Sequence, residues 1–97
     1  MTQITISEVG PRDGLQSVDT ILSTEGKLAW IEAEYGAGVR EIEVGSFVSP
    51  KLLPQMADTA AVVKDALRLQ DLVIAVLVPN LRGCEAAVEA GAHKISI

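Results

Sequence analysis

Short β-branched runs alternate along this chain with longer stretches of helical period, and that alternation predicts successive strand-helix units around a parallel sheet. Ile4 to Val9 reads as the first strand. After a turn rich in Gly and Pro, Ser23 or Thr24 can cap a helix running to about Tyr35, with Leu28, Ile31 and Tyr35 as its buried stripe. Gly36 and Gly38 supply the stop, and Arg40 to Val44 reads as the second strand. Gly45 to Ala57 reads as a long loop, because Pro50 and Pro54 bar a continuous strand or helix. Asp58 or Thr59 opens a helix to about Leu69, with Val62, Val63, Ala66 and Leu67 clustered on one face. Leu72 to Val78 is a near-continuous apolar run, as suits a strand covered on both sides. Pro79-Asn80 starts a third helix whose face is Cys84, Ala87, Val88 and Gly91, and Lys94 to Ile97 begins a fourth strand.

Four strands and three helices in this order predict an α/β fold, with residues 1–97 forming the N-terminal portion of a single closed (β/α)8 barrel, a TIM barrel. Such a barrel takes about 250 residues in eight units. A terminal parallel strand with no helix after it would leave an open edge, so a fragment of a larger barrel is expected. The alternative is an open doubly wound sheet, but no Gly-x-Gly-x-x-Gly follows the first strand to cradle a dinucleotide.

Composition narrows the classes. At 48% hydrophobic and 22% charged, the 97 residues describe a globular chain, and with one Trp, one Tyr and one Phe its core must be aliphatic. A net charge of −5 and only eight Lys and Arg, spread along the chain, argue against nucleic acid as a partner. No stretch approaches the ~20 apolar residues that span a bilayer, so no membrane partner is expected. The opening residues enter a strand pattern without a basic or apolar leader, and the single Cys84 suits a reducing compartment, so a cytoplasmic location is expected.

The chemistry concentrates at two strand ends. Arg12 and Asp13 fall on the first strand-to-helix turn, where barrel enzymes keep their active sites. A guanidinium there can stabilise a developing oxyanion, and a neighbouring carboxylate offers hard oxygen to a divalent metal. Arg-Asp-Gly alone equally suits an ordinary turn with a local ion pair. Period-two alternation points Ile42 and Val44 toward covering helices and turns Glu43 to the other side, the lumen of a barrel. A carboxylate there costs several kcal/mol unless paired or metal-bound, so it needs Arg12 or a cation nearby, in either a structural ion pair or a catalytic one. Glu8 invites the same argument with less force. The loop Gly45 to Lys51 carries hydroxyls, an aromatic and a cation, and could line a substrate entrance or be plain surface. Asn80 reads as a helix N-cap, Cys84 as a small core residue, and His93 as isolated at the start of a strand.

Glu8-Val9-Gly10-Pro11-Arg12-Asp13-Gly14-Leu15-Gln16, then Ile42-Glu43-Val44-Gly45-Ser46-Phe47-Val48-Ser49-Pro50-Lys51 and Pro54-Gln55-Met56-Ala57-Asp58, closely resemble the 3-hydroxy-3-methylglutaryl-CoA lyase family. Val78-Pro79-Asn80-Leu81-Arg82-Gly83 and Glu85-Ala86-Ala87 are also similar to it, so the resemblance covers nearly the whole chain. It implies a TIM barrel, a divalent metal (Mg2+ or Mn2+), an acyl-CoA substrate, and metal-assisted retro-Claisen cleavage to acetyl-CoA and acetoacetate. A homo-oligomer is expected at full length. By the motif match Arg12 would polarise the substrate carbonyl and stabilise the enolate, Asp13 would bind the metal, and Glu43 would organise the site. Gln16 would contact substrate or support Arg12.

The family's remaining metal ligands, a histidine pair and an asparagine, and its glycine-flanked catalytic cysteine lie in later strands and loops. Neither His93 nor Cys84 matches them, so the 97 residues alone are expected to be inactive. Leu52 and Leu53 replace a bulkier aromatic and a valine common in relatives, which bears on acyl specificity. Two rivals remain: a Claisen-type synthase of the same superfamily, homocitrate or isopropylmalate synthase-like, and a non-catalytic half-barrel module. The Ser46 to Lys51 loop favours the lyase.

Overall fold

The computed structural model describes residues 6–15, 21–49 and 51–97. Helices α1 (Thr24–Gly36), α2 (Thr59–Ala66) and α3 (Leu81–Ala90) alternate with strands β1 (Glu41–Ser46), β2 (Val73–Leu77) and β3 (Lys94–Ser96). The strands form one parallel sheet in the order β1-β2-β3. Only the end of the expected first strand lies within the described residues. There Glu8 bridges Ile42 in parallel, its amide donating to the Glu41 carbonyl at 3.0 Å and its carbonyl accepting from the Glu43 amide at 2.8 Å. The chain thus reaches the sheet edge beside β1 before it turns.

Local chemistry sets the ends of the helices. The Ser23 hydroxyl accepts from the Gly26 amide at 3.1 Å and caps α1, with Glu25 in the first turn complementing the helix dipole. The Asn80 side chain caps α3 by accepting from the Gly83 amide at 2.9 Å. Gly91, at φ +96°, closes α3 in the left-handed conformation that glycine adopts without strain. Helix α2 stops at Ala66, short of the expected Leu69, because the Arg68 and Leu69 amides turn back to Asp65 and Ala66 and tighten the chain.

The core is aliphatic. Ile42 and Val44 of β1 and Ile74 and Val76 of β2 pack with Ile31, Val62, Val63, Ala66, Ala87 and Ala90 from the helices. Two stripes differ from expectation. On α1, Ile31 is buried as expected but Leu28 and Tyr35 are only partly so, and the second fully buried position is Lys27. On α3, Gly83, Ala87 and Ala90 face inward while Val88 is exposed, because the small residues are what permit close approach to the sheet.

The opposite sheet face is polar. Glu41 and Glu43 of β1, Ala75 and Leu77 of β2, and Lys94 and Ser96 of β3 share it, as the register Glu43↔Ala75↔Lys94 requires. The β1-β2 register shifts between Glu43 and Gly45, which inserts one extra residue at Val44. That bulge puts Gly45 on the helix face, against Thr59, and returns Ser46 to the face of Glu43.

Candidate functional site

The Arg12 segment is a wide helical turn, Gly10–Gly14, rather than an irregular loop. The Arg12 amide donates to the Val9 carbonyl at 3.1 Å, and the Leu15 amide to the Arg12 carbonyl. The turn stands at the strand end beside β1, and the Arg12 Nε donates to Glu43 Oε1. Side-chain exposures of 18% and 8% make this a largely desolvated pair, in which Coulomb attraction is far stronger than at a wet surface. The two residues expected to meet therefore do meet, on the sheet face turned away from the helices.

Beside them, Lys94 Nζ approaches Glu41 Oε2 at 3.1 Å. A hydrogen bond from Ser7, followed by the Lys94 contact, holds the Glu41 carboxyl below its ordinary range against the opposing effect of burial. Two opposite-charge pairs, Arg12 with Glu43 and Lys94 with Glu41, thus stand on the polar face. Ser46, fully buried, extends the same face toward the β1-α2 loop.

Glu8 does not join this group. Its register with Ile42 turns the side chain to the helix side, where Oε1 accepts from the Gly10 amide at 2.8 Å. There it faces Glu34, whose carboxyl is pushed above its ordinary value mainly by burial, with Glu8 adding to the rise against a 2.6 Å hydrogen bond from Trp30 Nε1. His93 is not isolated either. Its Nδ1 accepts from the Ile74 amide at 3.0 Å, which fixes it as a sheet-edge partner. Cys84 is partly buried against the core, as expected.

A cleft of about 450 Å³ opens between the β1-α2 loop and the first turn of α3, lined by Ser46, Phe47, Ser49, Met56, Asn80 and Arg82 among others. The Phe47 amide pairs with the Leu77 carbonyl at 2.9 Å, carrying the chain one residue past β1 before it leaves the sheet. Gly83 is what lets α3 approach so closely, since a Cβ there would lie 2.8 Å from the Phe47 carbonyl oxygen. The loop therefore forms a wall of the cleft, and Lys51 and Leu52 are exposed on it.

Of the other expected site residues, Asp13 has its backbone in the Arg12 turn and its side chain outside the described residues, and Gln16 lies outside them altogether. Among the described residues no three of His, Cys, Asp and Glu gather as a metal-binding group. Glu43 on β1 and Asp13, next to Arg12 in the sequence, are both carboxylates, the hard-oxygen donor type that a divalent cation would take. One feature of the rim escaped the apolar templates: the buried Lys27, which pairs with Asp58. The signal was its position four residues before Ile31, on the same stripe of α1.

A family profile described as HMGL-like matches residues 3–97. The mitochondrial hydroxymethylglutaryl-CoA lyase of Macaca fascicularis is 52% identical over 95 residues, covering 98% of this chain and 29% of that protein. Hydroxymethylglutaryl-CoA lyase YngG of Bacillus subtilis is 42% identical over 95 residues, covering 98% of this chain and 32% of the relative. The solved hydroxymethylglutaryl-CoA lyase of Pseudomonas aeruginosa superposes with a TM-score of 0.88 at 42% identity, over 96% of this chain and 31% of that one. An HMG-CoA lyase of Acinetobacter baumannii, solved with coenzyme A and 3-methylmalate, gives 0.87 at 39% identity, over 98% and 32%. The chain spans about 30% of the length of these relatives. Its three parallel strands correspond to part of their barrel. Mitochondrial and bacterial proteins both occur among them, so the family does not fix a compartment.

Proposed function

The chain belongs to the HMGL-like family, and from that premise we propose that residues 1–97 form the N-terminal portion of a TIM-barrel lyase domain and carry its Arg12 rim. The reaction is cleavage of 3-hydroxy-3-methylglutaryl-CoA, or a close acyl-CoA, to acetyl-CoA and acetoacetate. The observation that carries this reading is the ion pair fixing Arg12 to Glu43 on the polar sheet face. A relative solved with coenzyme A and 3-methylmalate supports an acyl-CoA as the ligand class.

In this reading a base takes the proton of the substrate hydroxyl, the carbon-carbon bond breaks as that oxygen becomes the ketone carbonyl of acetoacetate, and the electron pair collects on the thioester enolate, which takes a proton to become acetyl-CoA. Arg12 meets the enolate's charge. Glu43 holds Nε and so orients the planar guanidinium, whose donors are directional in a way an ammonium's are not. Asp13 would hold a divalent cation, Mg2+ or Mn2+, whose chemistry when bound is to lower the pKa of the substrate hydroxyl. Gln16 would contact substrate beside Arg12. The 97 residues alone would not turn over, because neither His93, whose Nδ1 accepts from the Ile74 amide, nor Cys84, packed against the core, matches the remaining ligands and catalytic cysteine that the resemblance implies.

The test grafts these residues onto the remaining two thirds of the Pseudomonas aeruginosa lyase and measures acetoacetate release. Arg12→Lys keeps the charge but loses the fork, and should lower kcat by roughly three to four powers of ten with little change in KM. That loss corresponds to about 4 to 5.5 kcal/mol of transition-state stabilisation at ~1.36 kcal/mol per tenfold. If Arg12 only anchors its turn, the variant would lose thermal stability and keep its turnover.

A further inference from the structure

Among the described residues Lys27 is a more deeply buried cation than Arg12, with 2% of its surface exposed. Its Nζ donates to the Gln55 carbonyl and to Asp58 Oδ1, while Asp58 Oδ2 accepts from the Thr24 hydroxyl at 2.6 Å. Asp58 stands at the N-cap of α2 yet makes no capping hydrogen bond with its side chain. Both of its oxygens are drawn across to α1 instead. A buried ammonium persists only when paired and hydrogen-bonded, and an aliphatic side chain would fill this stripe without that requirement. The charge therefore has work that packing alone does not explain.

Its partners show what that work is. Gln55 lies in the short helical turn Pro54–Met56, and Met56 and Ala57 line the cleft. Around it the backbone bonds are local: Leu53 amide to Ser49 carbonyl at 3.1 Å, Met56 to Leu53 at 3.0 Å, and Ala57 to Pro54 at 3.1 Å. Three residues along α1 from Lys27, Trp30 packs on the Arg12 turn so closely that a Cβ on Gly10 would lie 3.0 Å from its ring. One helix thus touches both the Arg12 turn and the cleft wall.

We propose that Lys27 is a positioning residue: through the Gln55 carbonyl and Asp58 it ties the Pro54–Ala57 wall of the cleft to the helix that packs on the Arg12 turn. This sets the width of the pocket that receives the acyl-CoA. The latch rests on the lyase reading only for the identity of that ligand.

Amide hydrogen exchange on the grafted protein tests the latch independently of catalysis. Lys27→Met should speed exchange at Met56 and Ala57 at least tenfold, equivalent to about 1.4 kcal/mol, and leave the β2 amides unchanged. Lys27→Arg should restore protection. Should Lys27→Met fail to fold, Asp58→Asn carries the same expectation. Unchanged exchange would overturn the latch, as would uniform acceleration through β2, or a wild-type wall that already exchanges at free-peptide rates. In the grafted enzyme Lys27→Met should raise KM about tenfold with kcat within twofold, and Lys27→Arg should reverse it. A fall in kcat at constant KM would overturn the assignment. A grafted wild type without lyase activity would sink the functional reading and leave exchange to decide the latch.

Discussion

Gly45→Ala adds one methyl group at the point where β1 changes register, and the structure lets its cost be worked out. The new Cβ would sit 2.6 Å from Thr59 Oγ1, 2.8 Å from Cγ2 and 3.2 Å from Cβ. Carbon pairs rest at ~3.5 to 4.0 Å, so the methyl group intrudes by roughly 0.7 Å on Cγ2 alone. Thr59 cannot swing away cheaply. It is β-branched and buried, and its hydroxyl lies 2.9 Å from the Ser46 carbonyl and 2.7 Å from the Met56 carbonyl. Overpacking costs about 1 to 3 kcal/mol, and displacing the hydroxyl forfeits about 1 kcal/mol more. We expect a total near 2 to 4 kcal/mol, a large share of the ~5 to 15 kcal/mol that holds a domain together. Urea unfolding followed by circular dichroism reads this as a lower midpoint at unchanged slope. The decisive comparison repeats the substitution in a Thr59→Ala background, where only the 3.2 Å contact remains. There Gly45→Ala should cost less than about 1 kcal/mol, giving a coupling of about 1 to 3 kcal/mol between the sites. Equal costs in the two backgrounds would refute the steric account.

Other outcomes follow from the rim. Glu43→Gln removes the charge that orients Arg12 while keeping size, so in the grafted enzyme it should lower kcat at least tenfold with a small change in melting temperature; full turnover in a folded variant would end its role. Asp13→Ala should weaken Mg2+ or Mn2+ binding, read by calorimetry on the grafted enzyme, and unchanged affinity would remove it from the ligand set. Glu34→Gln should stabilise the chain near pH 7 and have little effect below pH 4. The folded carboxyl is raised above its ordinary value of 4.5, so ionised Glu34 opposes folding at high pH and the neutral acid does not. Glu41 runs the other way: its lowered carboxyl favours folding above its ordinary range, and that contribution disappears as pH falls through the folded value, so Glu41→Gln should flatten the acid limb of a stability-pH curve.

What could be read in the chain was whatever follows from period and capping. The strand positions were legible because short β-branched or continuous apolar runs interrupt helix patterns of period 3.6, and the Ser23 and Asn80 caps because their oxygens have one local use. Glu43 could be oriented from Ile42 and Val44 alone. Glu8 could not, because its face depends on pairing with Ile42 across the sheet rather than on its own strand. Lys27 was hidden for a similar reason. Its counter-charge, Asp58, lies 31 residues away, and a local pattern reads such a lysine as exposed.

The bulge at Val44 is where local pattern and site geometry part company, and it has a chemical consequence. An unbroken strand would put Glu43 and Gly45 on the polar face and send Ser46 toward the helices. With the extra residue, Glu43 and Ser46 both lie on the polar face, and Gly45 takes the one position where Thr59 leaves no room for a side chain. The strand thus brings the Arg12 partner and the start of the cleft wall onto one surface within four residues. A regular strand achieves this only at even spacing, so the irregularity is what brings Glu43 and Ser46 onto one face, and Gly45 is the residue that permits it.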